Sequence, residues 1–204
     1  MSKTFLEGRR KCPAPGGGRW ALSGAERCWE CLAPKDREAF MEGLRKEARE
    51  GGDFSGWILA GVDFSGGDWT RCDFSGADLR GASFKGARLQ GANLRGAVAE
   101  GADFSGADLS QADLEFAVLG RADLEGAQLG GANLQRANLV GVRARGADFR
   151  AAKMYYSRTG AGDFREADFT GADIQRSIFR AADLRGAKLH GAMGQANFER
   201  ARRQ

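Results

Sequence analysis

"ANLRGAVAEGADFSGADLSQADLEFAVLGRADLEG", residues 92–126, repeats itself every five residues. A period of five matches neither the 3.6 of a helix nor the two of a simple alternating strand. Within one repeat, however, a small apolar residue and a large one flank a polar residue, and that is strand-like alternation over three positions. The next two positions, rich in Gly, Ser, Arg and Gln, read as a turn. Taking the large apolar residue as the third of five places, the centres run from Phe54 to Leu189 as 28 units without insertion or deletion. Place one is Ala in 19 of the 28, and place three is large and apolar in all but Ala99, Ala144 and Thr159. A chain that turns after every short extended piece and always points the same two places inward must wind into a coil. The expected fold class is an all-β solenoid whose narrow interior is filled by side chains, with no room for a ligand.

The whole chain has 204 residues, 42% of them apolar, which is enough for a packed domain. No stretch approaches the ~20 apolar residues that cross a bilayer, and the basic N-terminus lacks the apolar run of a secretory signal. A soluble, cytoplasmic protein with no membrane association is expected. The net charge of +4 is too small to argue for nucleic acid by itself. Its distribution is uneven: residues 52–142 carry −5 and residues 143–190 carry +4, so the two halves of the coil differ in sign. Cys28-x-x-Cys31 with Cys12 upstream offers three of the four ligands that a structural zinc takes. The sole histidine, His190, lies far off in sequence, so the adopted reading is reduced thiols with no metal and no cofactor.

The Ala-Asp/Asn-Leu-x-x units of residues 52–191 resemble the pentapeptide-repeat family. The resemblance implies a right-handed, quadrilateral β-helix with one unit per side and four per coil, hence about seven coils, or a rod about 34 Å long at ~4.8 Å per coil. Open solenoid ends need covering. Residues 1–51 are expected to supply a helical cap of two short helices. Ser23 and Glu26 would form a capping box, Pro34 would punctuate, and Phe40, Met41, Leu44 and Ala48 would make an apolar stripe. Met193 and Phe198 leave the five-residue frame, so residues 192–204 are expected to form a C-terminal cap containing a short helix.

Catalytic materials are scarce. His190 is at an outward place, and the Asp column at place two is expected to bond nearby backbone in the turns rather than to hold ions. The exceptions to the repeat are more informative. Sorting the units four to a coil puts Ile58, Asp78, Val98, Val118, Asn138, Arg158 and Ile178 at the outward place two of one side, where the other three sides are wholly polar. Phe116 and Tyr156 at the neighbouring corner, Tyr155 just before, and Val140 on the same side extend this into a stripe. Such a patch marks an interface unless residues 1–33, with Phe5, Leu6, Trp20 and Leu22, fold over it. The candidate partner-binding residues are therefore Ile58, Val98, Phe116, Val118, Val140, Tyr155, Tyr156, Arg158 and Ile178.

The function expected is a noncatalytic protein-interaction or scaffolding module that meets an unidentified protein partner and makes no direct contact with nucleic acid. Homodimerisation would run through the C-terminal end or the stripe. The alternative, carried by the family resemblance, is a DNA-mimicking ligand of DNA gyrase of the quinolone-resistance type. That role needs sustained negative charge, whereas residues 52–191 hold 18 acidic and 17 basic residues.

Overall fold

Residues 29–49 and 51–203 are described by the computed structural model. Place-two residues bridge their counterparts 20 residues on, in parallel, from Asp53 with Asp73, Ile58 with Asp78, Asp63 with Ser83 and Asp68 with Arg88 to Asp168 with Lys188. Twenty residues thus make one coil, and its four units make four sides. The first side contains Phe54, Phe74 and Leu94; the second Leu59 and Leu79; the third Phe64 and Phe84; the fourth Trp69 and Leu89.

The hydrogen bonds explain the residue at each place. Place three donates to the place-two carbonyl of the next coil, as Leu79 to Val98 at 2.7 Å, and place two to the place-one carbonyl of the coil before, as Val98 to Ala77 at 2.9 Å. Place five reaches the next coil as Gly101 does Gly120, at 2.9 Å, and place one closes the turn as Ala97 does on Leu94, at 3.0 Å. Only the place-four N–H is left over. Asp or Asn at place two accepts it through Oδ1: Asp103 from Ser105 at 2.8 Å, Asp113 from Glu115 at 3.0 Å, Asn138 from Val140 at 3.2 Å. The Asp column supports the turns. Every place-five residue from Gly56 to Gly191 has a φ between 54° and 75°, which is why glycine dominates there.

Inside, like residues stack from coil to coil. Phe64, Phe84 and Phe104 lie ring on ring at 4.5 and 5.0 Å, and Phe149 on Phe169 at 4.9 Å. At three units the ring leans over place one and leaves room there only for glycine: a Cβ on Gly52 would stand 2.6 Å from the Phe54 ring, one on Gly67 2.4 Å from the Trp69 indole, and one on Gly162 2.5 Å from the Phe164 ring. Among the described residues three polar side chains are also buried, all near the second side, and each is bonded. Ser177 donates to the Met154 carbonyl at 2.7 Å, Thr159 to that of Ile178 at 2.9 Å, and Ser157 to the Ser177 hydroxyl at 3.3 Å.

Cys72 occupies place one and is fully buried. Burial, and secondarily the charge of Asp68, push its thiol up to about 11. At pH 8 the native protein should therefore leave Cys72 unlabelled by a thiol reagent and yield it only in denaturant, as read by mass spectrometry of the tryptic peptide.

Among the described residues the N-terminal cap holds one α-helix, α1 (Pro34–Arg49), preceded by a single 3-10 turn at Trp29–Cys31. Pro34 marks the start of α1. It is the first helical residue, where its fixed φ suits the helix and its missing N–H costs nothing, while the Ala33 carbonyl accepts from Asp36 at 2.9 Å and Arg37 at 3.0 Å. Met41 and Leu44 are buried on the first coil, with Phe40 and Ala48 packed beside them. The capping box expected at Ser23 and Glu26 lies outside the described residues.

The expected C-terminal helix is not formed. The β-helix continues through Arg202 after dropping one residue at a corner, so that Ile178 bridges Asn197 and Asp183 bridges Arg202. Ala196-Asn197-Phe198 is simply another small-polar-large unit, one residue out of frame, and Phe198 stacks on Phe179 at 5.3 Å. The contraction falls at Gly194, with φ of 88°.

Candidate interaction surface

The bridge register carries Ile58, Asp78, Val98, Val118, Asn138, Arg158 and Ile178 into one column on the second side. Ile58, Val98 and Val118 are half-buried there, Arg158 and Ile178 exposed. Val140 is exposed two residues beyond Asn138, and Tyr155 is half-buried with its ring edge-on to Tyr156 at 4.6 Å. The polar members interrupt the aliphatic ones. The apolar surface therefore concentrates at the corner between the first and second sides, where Phe116 and Tyr156 are each 41% exposed.

That corner is not bare hydrocarbon. Its place-five column reads Phe116, Arg136, Tyr156, Arg176, one residue per coil, all with positive φ. The Arg136 guanidinium stands 5.4 Å from the Phe116 ring centre and that of Arg95 5.3 Å from it. Arg176 lies 5.2 Å from the Tyr156 ring and donates to its phenol oxygen. Arg95 also pairs with Glu115. Arg95, Arg136 and Arg176 escape a reading of hydrophobic exceptions. The signal of Arg136 and Arg176 is the 20-residue column at place five, and that of Arg95 is place four of the same side, both positions where arginine looks like an ordinary turn residue.

Electrostatically the corner differs from the third side. There Arg145 pairs with Glu166 at 2.7 Å, Arg165 with Asp163 at 2.6 Å and Arg185 with Asp183 at 2.7 Å. Arg165 bonded to its carboxylate holds Asp163 below the usual range, and the Arg185 hydrogen bond draws Asp183 down to about 2. Among the described residues no carboxylate pairs with Arg136, Arg158 or Arg176.

Among the described residues no cluster of His, Cys, Asp and Glu is arranged to hold a metal ion, and no helix is long and apolar enough to cross a membrane. Cys31 is half-buried, while Cys12 and Cys28 lie outside the described residues, as do Phe5, Leu6, Trp20 and Leu22.

A family model described as pentapeptide repeats matches in eight copies, over residues 58–96, 87–126, 127–158 and 163–202. The chain belongs to the pentapeptide-repeat family. No curated protein matches it. Among solved structures, a pentapeptide-repeat protein of the Arabidopsis thaliana thylakoid lumen is 35% identical over 60% of this chain and 68% of that one, with a TM-score of 0.32. HetL, a pentapeptide-repeat protein involved in heterocyst differentiation regulation in the cyanobacterium Nostoc sp. strain PCC 7120, is 26% identical over 74% of this chain and 82% of its own, with a TM-score of 0.23. Full-length QnrB1, a plasmid-mediated fluoroquinolone resistance protein, is 20% identical over 72% of this chain and 86% of its own, with a TM-score of 0.34. The pentapeptide-repeat coil of this chain stands on its own 20-residue bridge register.

Proposed function

We propose that this pentapeptide-repeat protein is a noncatalytic interaction module of the cytoplasm, a right-handed rod of about seven coils that offers the corner between its first and second sides to a protein partner. The supporting observation is the pair Phe116 and Tyr156. Each is a large aromatic held at a positive φ, 59° and 57°, in a column that is glycine at Gly56, Gly76 and Gly96. A non-glycine residue there costs about 1–2 kcal/mol, and an exposed ring returns little of it through burial. Residues that work against local stability are expected where a protein is used. The column of Ile58, Val98, Val118 and Ile178, with Val140, Tyr155 and Arg158, extends the contact along the second side. Homodimerisation through the C-terminal end is a separate route to association, since Met193 is 59% exposed on the last coil and Leu189 and Phe198 are only half-buried.

The DNA-mimicking alternative asks for an uninterrupted anionic face. On the third side, where Asp63, Asp103, Asp123, Asp163 and Asp183 align, Lys85, Arg143, Arg145, Arg165 and Arg185 break the field, which favours the interaction module.

Phe116→Gly with Tyr156→Gly tests the reading. Relief of the left-handed strain opposes the lost cation–π contacts and the added chain entropy, each about 0.5–2 kcal/mol, so the double variant should unfold within about 1 kcal/mol of wild type. Its yield of cross-linked partner from native lysate should fall. A stability loss above about 2 kcal/mol with undiminished cross-linking would assign the two rings to folding instead.

A further inference from the structure

We infer that the corner column Phe116–Arg136–Tyr156–Arg176 receives an acidic protein segment, extended along the rod axis, whose carboxylates stand three residues apart. The inference rests on the interaction-module reading and names the chemistry of the partner. Three observations carry it.

The first is charge. The third-side arginines Arg145, Arg165 and Arg185 are each engaged by a carboxylate of this chain. Arg136 and Arg176 at the corner, and Arg158 beside it on the second side, have no such partner among the described residues. Arg136 and Arg176 lack a carboxylate of this chain, and a docking segment would bring one to each.

The second is preorganisation. Arg136 is stacked on Phe116 and Arg176 on Tyr156. A guanidinium held over a ring, and in Arg176 also tied to the Tyr156 phenol, has less rotamer freedom left to lose when a carboxylate binds. The same stacking occupies ring faces that nucleotide bases would need, which favours carboxylates over single-stranded nucleic acid.

The third is spacing. Coils bridged strand to strand lie ~4.8 Å apart, so Arg136 and Arg176, two coils apart, are separated along the axis by about 9.6 Å. Three residues of extended chain cover about 9.9 Å, and three of polyproline II about 9.3 Å while returning to the same face. Glutamates at every third position of a polyproline II segment therefore match Arg136 and Arg176, which stand at alternate coils of the ladder.

The experiment measures fluorescence anisotropy of a labelled (Glu-Pro-Ser)4 peptide with the full chain at low salt. Arg136→Gln with Arg176→Gln should weaken binding by about tenfold. Arg165→Gln with Arg185→Gln, which removes the same charge from the third side, should change it by less than about twofold, and melting curves should show that both variants are folded and unfold cooperatively. A peptide of identical composition with its four glutamates contiguous should bind more weakly. Equal weakening by the two double variants would reduce the effect to net charge and overturn the inference. So would indifference to glutamate spacing, or tighter binding of a 12-nucleotide oligothymidine. If peptide binding fails while the Phe116 and Tyr156 variants still lose a cross-linked protein, the acidic-segment inference falls alone and the interaction module stands.

Discussion

Trp69→Ala should lower the unfolding free energy by about 3–5 kcal/mol, the range for removing a large buried aromatic. Trp69 is fully buried in the first coil, with its ring edge-on to Phe64 at 5.0 Å, Phe54 at 6.2 Å and Phe74 at 6.3 Å. Its indole N–H donates to the Phe64 carbonyl at 3.0 Å. Gly67 has no side chain to refill the space, because its place-one Cβ would collide with the indole itself. The cavity would lie one coil beneath α1, so the cap should loosen with it. Chemical denaturation followed by circular dichroism reads the loss, and a change below about 1 kcal/mol would mean that Trp69 is not in the core.

Leu119→Ala should cost about 2–5 kcal/mol, toward the upper end. Leu119 is 1% exposed in the inner column of the second side, and the residue one coil below it is already Ala99, also buried. Two alanines in succession would leave a void that rigid, hydrogen-bonded coils cannot collapse. The backbone on both sides is tied: Leu119 donates to Asn138 at 2.8 Å and Ala99 to Val118 at 2.8 Å. Unfolding at the wild-type denaturant midpoint would refute the inward assignment of place three.

These two positions show why the fold was legible in the sequence. Each place in the unit has one physical task, and a task repeated 28 times in register leaves a pattern that no helix or flat sheet produces. Even the polar place two could be read, since an Asp that serves the turn N–H recurs wherever that N–H does. The C-terminal end was hidden by a single missing residue. Ala196-Asn197-Phe198 keeps the small-polar-large order, but counting by fives from Leu189 passes it by. The stripe was legible in part. Folding the sequence at 20 residues aligns Val98 with Val118, yet hydrophobicity alone singles out Phe116 and Tyr156 while ignoring the arginines that cover them. Arg136 and Arg176 stack on those rings only because the left-handed corner sets one place-five side chain above the next, and that follows from backbone geometry rather than composition. Pro34 was legible as punctuation, and the Ala33 carbonyl with its two donors places it at the first turn of α1.

If interchangeable five-residue units build the rod while columns at a 20-residue period make the contact face, deleting residues 142–151 separates the two roles. The deletion removes two units, keeps place one and place three inward throughout, and turns everything after it by two sides. Tyr156, Arg158, Arg176 and Ile178 then lie opposite Phe116, Val118 and Arg136. The shortened chain should still unfold cooperatively but no longer cross-link its partner; cross-linking at the wild-type yield from this folded, half-turned rod would contradict a contact face built from 20-residue columns.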